Sequence, residues 1–479
     1  MKAWGKPRTA KGLERAGGGA LGLSAFAISL ATSSCLWGFE AKDIMAFSAG
    51  PVVIHPKLAV TESFNDNIFY SGQNPESAFI TGVTPAVDFR LGRPDGDRVF
   101  SLNYAFNEYW YHGSPQIDTA QAHAIGFAGT IKGNRLSSET ALNLAFLNTI
   151  YGGVEAFESG ALASSRNIDR TTGDLRETIR LQTTEKTSAY TTFTVQDLDF
   201  RTSIPYYDNN TWRILGGFSY KARPKLGLFG EVYYGQSASN PNVTYSNWLD
   251  GLPDSLGLYT YTVKPPHFET LGGFAGANLE LATRLTGQVK VGYEQSSRDE
   301  YVGGGDLFVP GVIDQPFEIS TGGSAIDLGA PVASVSLKSS ITERTTATLS
   351  YNRGTHASVT TSAAAYTRDA FRLQFQQVLG NSRPWFVDLE LNLNLNDYAQ
   401  FDQIYTLNVP GVGSGVVRHP APAHSSRLMG IKTSLAYQPA PWLVALVGYR
   451  YLNQHSDGSS GGGVDYDVNE VYVSVSLGY

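Results

Sequence analysis

The chain is short of several things, and each shortage narrows what it can be. It has one cysteine, Cys35, so no intramolecular disulfide can form and a disulfide-stapled secreted scaffold is excluded. Past the N-terminal region no apolar run approaches the ~18 residues a membrane helix needs, which excludes a helical membrane bundle. Only 16% of the residues are charged and no basic patch stands out, so nothing points to nucleic acid. The eight histidines (His55, His112, His123, His267, His356, His419, His424 and His455) are scattered, without HExxH or other ligand spacing, and no metal site is read from them. Gly303-Gly304-Gly305 and Gly461-Gly462-Gly463 neither follow a strand nor open a helix, as a phosphate loop must; they read as flexible tips of outer loops. No catalytic triad can be nominated and no cofactor is implied, so the chain is not read as an enzyme.

What is present is alternation. From Trp385 the chain reads WFVDLELNLNLN, with Trp385, Val387, Leu389, Leu391, Leu393 and Leu395 on one parity. Asp388, Glu390, Asn392, Asn394 and Asn396 hold the other, and only Phe386 interrupts that polar row. Successive side chains of a strand point to opposite faces, so this is one strand with an apolar and a polar face, roughly 40 Å long at ~3.3 Å per residue. Strands of soluble domains usually stop near 5 or 6 residues, whereas a tilted bilayer-crossing strand needs ~9 to 11.

About eighteen such segments recur. The clearest span 79–91, 100–110, 212–220, 226–234, 285–293, 371–379, 385–396, 443–451 and 471–479; weaker ones span 58–70, 119–131, 142–151, 175–181, 190–200, 271–281, 331–337, 345–351 and 427–437. The gaps alternate in length. Short turns (Arg93-Pro94-Asp95-Gly96, Gly133-Asn134, Arg223-Pro224-Lys225, Gly380-Asn381-Ser382-Arg383, Gln438-Pro439-Ala440-Pro441) alternate with long Gly-rich connections at 152–169, 236–263, 299–324, 400–425 and 454–463. A soluble sandwich has no reason to sort its connections by parity. The fold predicted is an all-β, single transmembrane antiparallel β-barrel of about 18 strands, with short periplasmic turns and long extracellular loops.

Segments running toward the long loops end in aromatics: Phe69-Tyr70, Tyr109-Trp110-Tyr111, Tyr151, Phe200, Tyr233-Tyr234, Tyr293, Tyr351, Tyr398, Tyr449 and Tyr451. These are expected to form an outer aromatic girdle, with Phe89, Tyr220, Tyr437 and Tyr479 in the inner one. Val471, Val473, Val475, Leu477 and Tyr479 share a parity, so the last strand is amphipathic and ends on an aromatic, the form read by the barrel-assembly machinery. Glu62 and Glu177 fall on lipid-facing parities, where charge is costly.

The first residues read as export signal. Lys2, Lys6, Arg8, Lys11 and Arg15 precede an apolar run over 20–31, so 1–34 is taken as a signal peptide, 35–57 as a short periplasmic segment and 58–479 as the barrel. Cleavage falls near Ala31-Thr32-Ser33; alternatively Thr32-Ser33-Ser34-Cys35 is a degenerate lipobox and Cys35 is lipidated. The location expected is the outer membrane of a Gram-negative bacterium, in contact with lipopolysaccharide. The leader contributes +4 to a formal charge of -7, leaving the mature chain near -11, and an acidic barrel is expected to favour cations.

Phe64-Asn65-Asp66-Asn67-Ile68-Phe69-Tyr70, then Val83-Thr84-Pro85-Ala86-Val87 and an aromatic-rich strand from Phe100, resembles the start of the beta-barrel porin 2 family. The resemblance implies a Gram-negative outer-membrane barrel, some members of that family being linked to exopolysaccharide or capsule production. Polysaccharide-export partners are therefore among its implications. It brings no catalytic residues.

The candidate site is the lumen row. If the leucines of 389–395 face lipid, Asp388, Glu390, Asn392 and Asn394 face the lumen, beside Arg372, Gln374 and Gln376 of the preceding strand. Arginine among acids and amides can act on a permeating solute; the same residues would equally serve as a wall bonded to itself. Asp88, Arg90, Arg213, Glu231, Lys290 and Glu294 are read as further lumen residues. Loops 152–169 and 236–263 are candidates for a constriction. The first reading is a porin-like channel for small polar solutes or a component of exopolysaccharide export. The alternative is a non-conducting surface or assembly protein, and an outer-membrane hydrolase ranks last.

Overall fold

The structure is a computed structural model. It describes residues 47–93, 96–150, 152, 167–201, 208–240, 259–261, 267–299, 301–307, 317–323, 325–357, 365–380, 384–399, 401–409, 413–421, 424–457 and 465–478. The leader, Cys35, Tyr151, the glycines at 461–463 and Tyr479 lie outside them, as do most of loops 152–169 and 236–263.

A short strand β1 (Phe47–Ala49) pairs back on β2 (Val52–Asn65), which is followed by β3 (Ala78–Leu91), β4 (Arg98–His112), β5 (Thr119–Lys132), β6 (Leu136–Ile150), β7 (Asn167–Gln182), β8 (Thr187–Phe200), β9 (Asp208–Arg223) and β10 (Leu226–Asn240). Then come β11 (Tyr259–Tyr261), β12 (Phe268–Ala282), β13 (Leu285–Arg298), β14 (Tyr301–Leu307), β15 (Phe317–Gly323), β16 (Ile326–Thr342), β17 (Thr345–Ala357), β18 (Ala365–Leu379) and β19 (Trp385–Tyr398). The chain ends with β20 (Phe401–Val409), β21 (Gly413–Ala421), β22 (His424–Ala440), β23 (Leu443–Ser456) and β24 (Tyr466–Leu477).

Eighteen of these strands form one closed antiparallel barrel. Each pairs with the next along the chain, β10 with β12, β13 with β16 and β19 with β22, and β24 returns to β2 through Leu58↔Leu477 to Asn65↔Glu470. Closure removes the edges that an open sheet would expose. Each predicted segment falls on a separate barrel strand, although 58–70 runs past the end of β2 at Asn65, and the short and long connections alternate as the sequence indicated. Strand β2 begins at Val52, so residues 52–57 belong to the wall. The remaining strands β11, β14, β15, β20 and β21 come from three long connections and pair into a second, five-stranded sheet. Gly303-Gly304-Gly305 are therefore not a flexible tip: they are the paired centre of β14, opposite Ile319, Ser320 and Thr321 of β15.

Contacts between non-neighbouring strands fix which face is inside. Arg213 of β9 meets Glu294 of β13 at 3.1 Å and Glu231 of β10 meets Lys290 of β13 at 3.0 Å, although other strands stand between. Side chains can bridge that far only across the concave surface. From Lys290 the register runs through Ser334, Asn352, Ala370 and Asn394, which places Arg372, Gln374, Gln376, Asp388, Glu390 and Asn392 on the inner face too.

The opposite parity is apolar and bare. Val232 is 67% exposed, Leu271 61% and Val291 60%, and they continue as a band through Leu373, Leu391, Val447 and Val473. So large a continuous apolar surface fits lipid, not water. Aromatics edge it. Trp385 stacks on Tyr437 at 4.4 Å near the short-turn end, and at the other end Tyr449 and Tyr451 donate hydroxyl bonds of 2.7 Å to Asn469 and Asp467. A ring in the apolar layer with its hydroxyl on a polar acceptor suits an interface. Not every predicted girdle aromatic belongs there. Tyr109, Tyr111, Tyr233, Phe200 and Tyr398 face inward by register, and Phe69 and Tyr70 lie beyond the end of β2.

Glu62 and Glu177 do face outward, and each has polar company: Thr81 donates to Glu62 at 3.0 Å, and Ser138 and Thr140 both donate to Glu177. The band assignment makes a sharp prediction. Leu391→Arg, mid-strand on the outer face, should destabilise the lipid-folded barrel by about 2–4 kcal/mol in urea titrations. Thr348→Arg, whose register partner Gln374 faces inward, should cost under about 1 kcal/mol.

Candidate functional site: the polar inner wall

On β18 and β19 the inner row is a bonded network. Arg372 Nη2 lies 2.7 Å from Glu390 Oε2, Gln374 Nε2 donates to the same oxygen at 3.0 Å, and Asn392 Nδ2 donates to Oε1 at 2.8 Å. Both carboxylate oxygens are thus engaged. Lys432 of β22 faces Glu390 in the register, while Asp388 lies between Gln376 and Ser434. Asn394 is buried toward the long-loop end. Phe386, the one apolar residue of the row, joins Ala436, Val444, Val378 and Leu446 in an inner cluster by the short turns, which explains the interruption.

A second network, whose members no local pattern brings together, spans β8 to β13. Glu231 accepts from Tyr190 Oη at 2.7 Å and pairs with Lys290; Glu294 accepts from Tyr233 Oη at 2.8 Å and pairs with Arg213, whose guanidinium lies 3.7 Å from the Tyr233 ring centre. Glycine makes this reach possible. A Cβ at Gly217 would stand 2.3 Å from the Tyr190 ring and one at Gly272 2.4 Å from the Tyr233 ring, so each tyrosine lies flat over a cross-strand glycine. Further inner ion pairs join Arg450 to Glu470 at 2.7 Å and Lys57 to Asp88 at 2.6 Å. Arg90 also faces inward, next to His55 and Asp88 of the same register.

Two elements narrow the long-loop mouth. The connection 66–77 turns into the barrel: Asn469 donates to both Asp66 carboxylate oxygens, at 2.7 Å from its backbone and 2.8 Å from its side chain, and Asn67 Nδ2 donates to Ser71 O at 2.8 Å and Asp467 O at 2.9 Å. These bonds drive Ile68 and Phe69 into a cluster with Ala78 and Ile117. Tyr70, held at φ 53°, crosses to the inner residues Leu428, Leu452, Tyr466 and Val468 of β22 to β24. The motif Asn65-Asp66-Asn67-Ile68-Phe69-Tyr70 therefore closes a loop inside the lumen rather than ending a strand. The second element is the β17–β18 hairpin. Pairing of β16 with β17 stops at Ala333↔Arg353, beyond which Thr355 N donates to Glu294 Oε1 at 3.1 Å and Ala365 packs on Phe268 and Ile326. Most of loops 152–169 and 236–263, which the sequence offered for a constriction, lies outside the described residues.

The inner wall does not share the sign of the whole-chain charge from which a cation preference was expected. Among the described residues, acids gather on the outward parity near the long-loop rim, as at Glu108, Asp169, Asp197, Asp199, Asp327 and Asp467. On the inner face basic residues outnumber acidic ones. A whole-chain charge says nothing about which face carries it.

No family model matches the chain, and neither does any curated protein. Solved outer-membrane structures do. Vanillate-bound OpdK of Pseudomonas aeruginosa is 9% identical over 89% of this chain and 99% of its own, with a TM-score of 0.39. The siderophore receptor PirA of Acinetobacter baumannii is 8% identical over 89% of this chain and 80% of its own, with a TM-score of 0.41. OpdQ of P. aeruginosa is 10% identical, covering 89% and 99%, with a TM-score of 0.38. Likeness this distant does not decide the architecture, which rests on the closed strand register.

Proposed function

We propose that this chain is an outer-membrane channel for small polar solutes. The observation that carries the reading is the division of faces around eighteen strands: a continuous apolar exterior and an interior of charge pairs, amides and hydroxyls. A barrel of this strand number is wide enough for an aqueous path, and the inward loop 66–77 and the β17–β18 hairpin leave a narrowed one. Liposomes containing the purified barrel should swell in monosaccharide solutions and progressively less in di- and tetrasaccharides. Absence of swelling with every sugar would contradict the reading.

Participation in exopolysaccharide export is the narrower form of this proposal, implied by the resemblance of the first strands to the beta-barrel porin 2 family. The five-stranded sheet formed by the long connections favours a second reading, a surface protein that presents its loops to a partner. Deleting that sheet while keeping the wall separates the two: a channel keeps passing sugars, and a presenting protein loses its partner.

A further inference from the structure

We propose that the lumen selects small anions, and that a basic, hydroxyl-lined track on β7, β8 and β9 carries them; this rests on the channel reading above. On the inner face of β7, Arg176 and Arg180 are four residues apart and half-buried, and among the described residues neither belongs to an ion pair. Arg180 Nη1 donates to Ser188 Oγ at 3.1 Å, and Ser188 in turn bonds Ser219 of β9 at 2.7 Å. Thr178 and Thr192 bond at 3.1 Å, and Thr194 lies opposite Arg176 in the register. Guanidinium and hydroxyl donors thus run together down one wall. The one acid in the β7 inner row, Asp174, sits above Arg176 and accepts from Gln196 at 3.1 Å.

The rest of the inner wall does not offset this charge. Glu231, Glu294, Glu390, Glu470 and Asp88 are each matched by a cation at 3.1 Å or closer. Beyond those pairs the described inner face adds Arg90, Lys132, Arg170, Lys221, Arg298, Lys338, Arg368 and Lys432, against Glu139, Glu280 and Asp388. Glu139 of β6 stands opposite Thr178, diagonal to both arginines but in an ion pair with neither, while β19, with Asp388 and the paired Glu390, is half the barrel away. Low-dielectric walls focus such a field along the lumen, and each arginine offers donors to a carboxylate or phosphate oxygen.

The test is the reversal potential of the purified protein in planar bilayers under a potassium chloride gradient, repeated with potassium acetate. Wild type should prefer chloride over potassium and pass acetate, and Arg176→Gln/Arg180→Gln should lower the chloride-to-potassium permeability ratio about twofold or more. Arg176→Gln alone leaves the Arg180–Ser188 bond in place and should move the ratio the same way, so the test survives a misfolded double variant. A cation-preferring wild type, or a ratio unchanged in a conducting variant, would overturn the anion track. Absence of any current overturns the channel reading itself, and the track with it.

Discussion

Glu294→Ala is expected to destabilise the folded barrel by about 3–5 kcal/mol, because it strips the buried Arg213 guanidinium of its counter-charge. Three donors converge on that carboxylate: the Arg213 guanidinium at 3.1 Å, the Tyr233 hydroxyl at 2.8 Å and the Thr355 backbone N–H at 3.1 Å. The residue is only 3% exposed, so water cannot replace its side chain without opening the wall. Alanine would leave a cation against an aromatic face without a counter-charge, and would untether the inward end of β17. Glu294→Gln keeps the shape and part of the bonding, so about 1–2 kcal/mol is expected. Urea titrations in lipid vesicles, read by the heat-modifiable shift on gels, measure both. An alanine variant within about 1 kcal/mol of wild type would show that the network does not anchor the hairpin.

Excising the inward loop should have the largest effect on permeation. Asn65 and Ala78 are register partners, so replacing residues 66–77 by Asn-Gly joins β2 to β3 through a two-residue hairpin. The excision removes Ile68, Phe69 and Tyr70 from the mouth and exposes the inner apolar patch of Leu428, Leu452, Tyr466 and Val468. Single-channel conductance should rise about twofold or more, since a barrel of this strand number without an inserted loop encloses a wide path. Tyr70→Ala should move conductance the same way by less. Unchanged conductance after excision would mean that the loop does not border the conducting path.

The architecture was legible because lipid imposes the same demand on every strand. Rows such as Leu389, Leu391, Leu393 and Leu395 need no knowledge of their neighbours to be recognised as an outer face, and each row fixes its own inner parity. That is also why Arg372, Gln374 and Glu390 could be placed together: they sit on consecutive strands joined by a short turn. Relations across several strands were not legible. Nothing local to Glu294 tells that Arg213 and Thr355 will meet it, since those contacts depend on register accumulated through intervening strands. Phe69 and Tyr70 looked like a strand end because aromatic content is shared by interfaces and inward loops; the bonds of Asp66 and Asn67 are what turn them inside. Net charge could not report the charge of the lumen for a simpler reason. The acids of the outer rim and the arginines of β7 enter one sum but face different solvents.

Whether the polar interior encloses a continuous water path is decided by single-channel recording of the purified barrel in planar bilayers. Discrete, ohmic current steps are predicted for the wild-type chain. A correctly folded, heat-modifiable barrel that inserts into the bilayer and passes no ion current would contradict it.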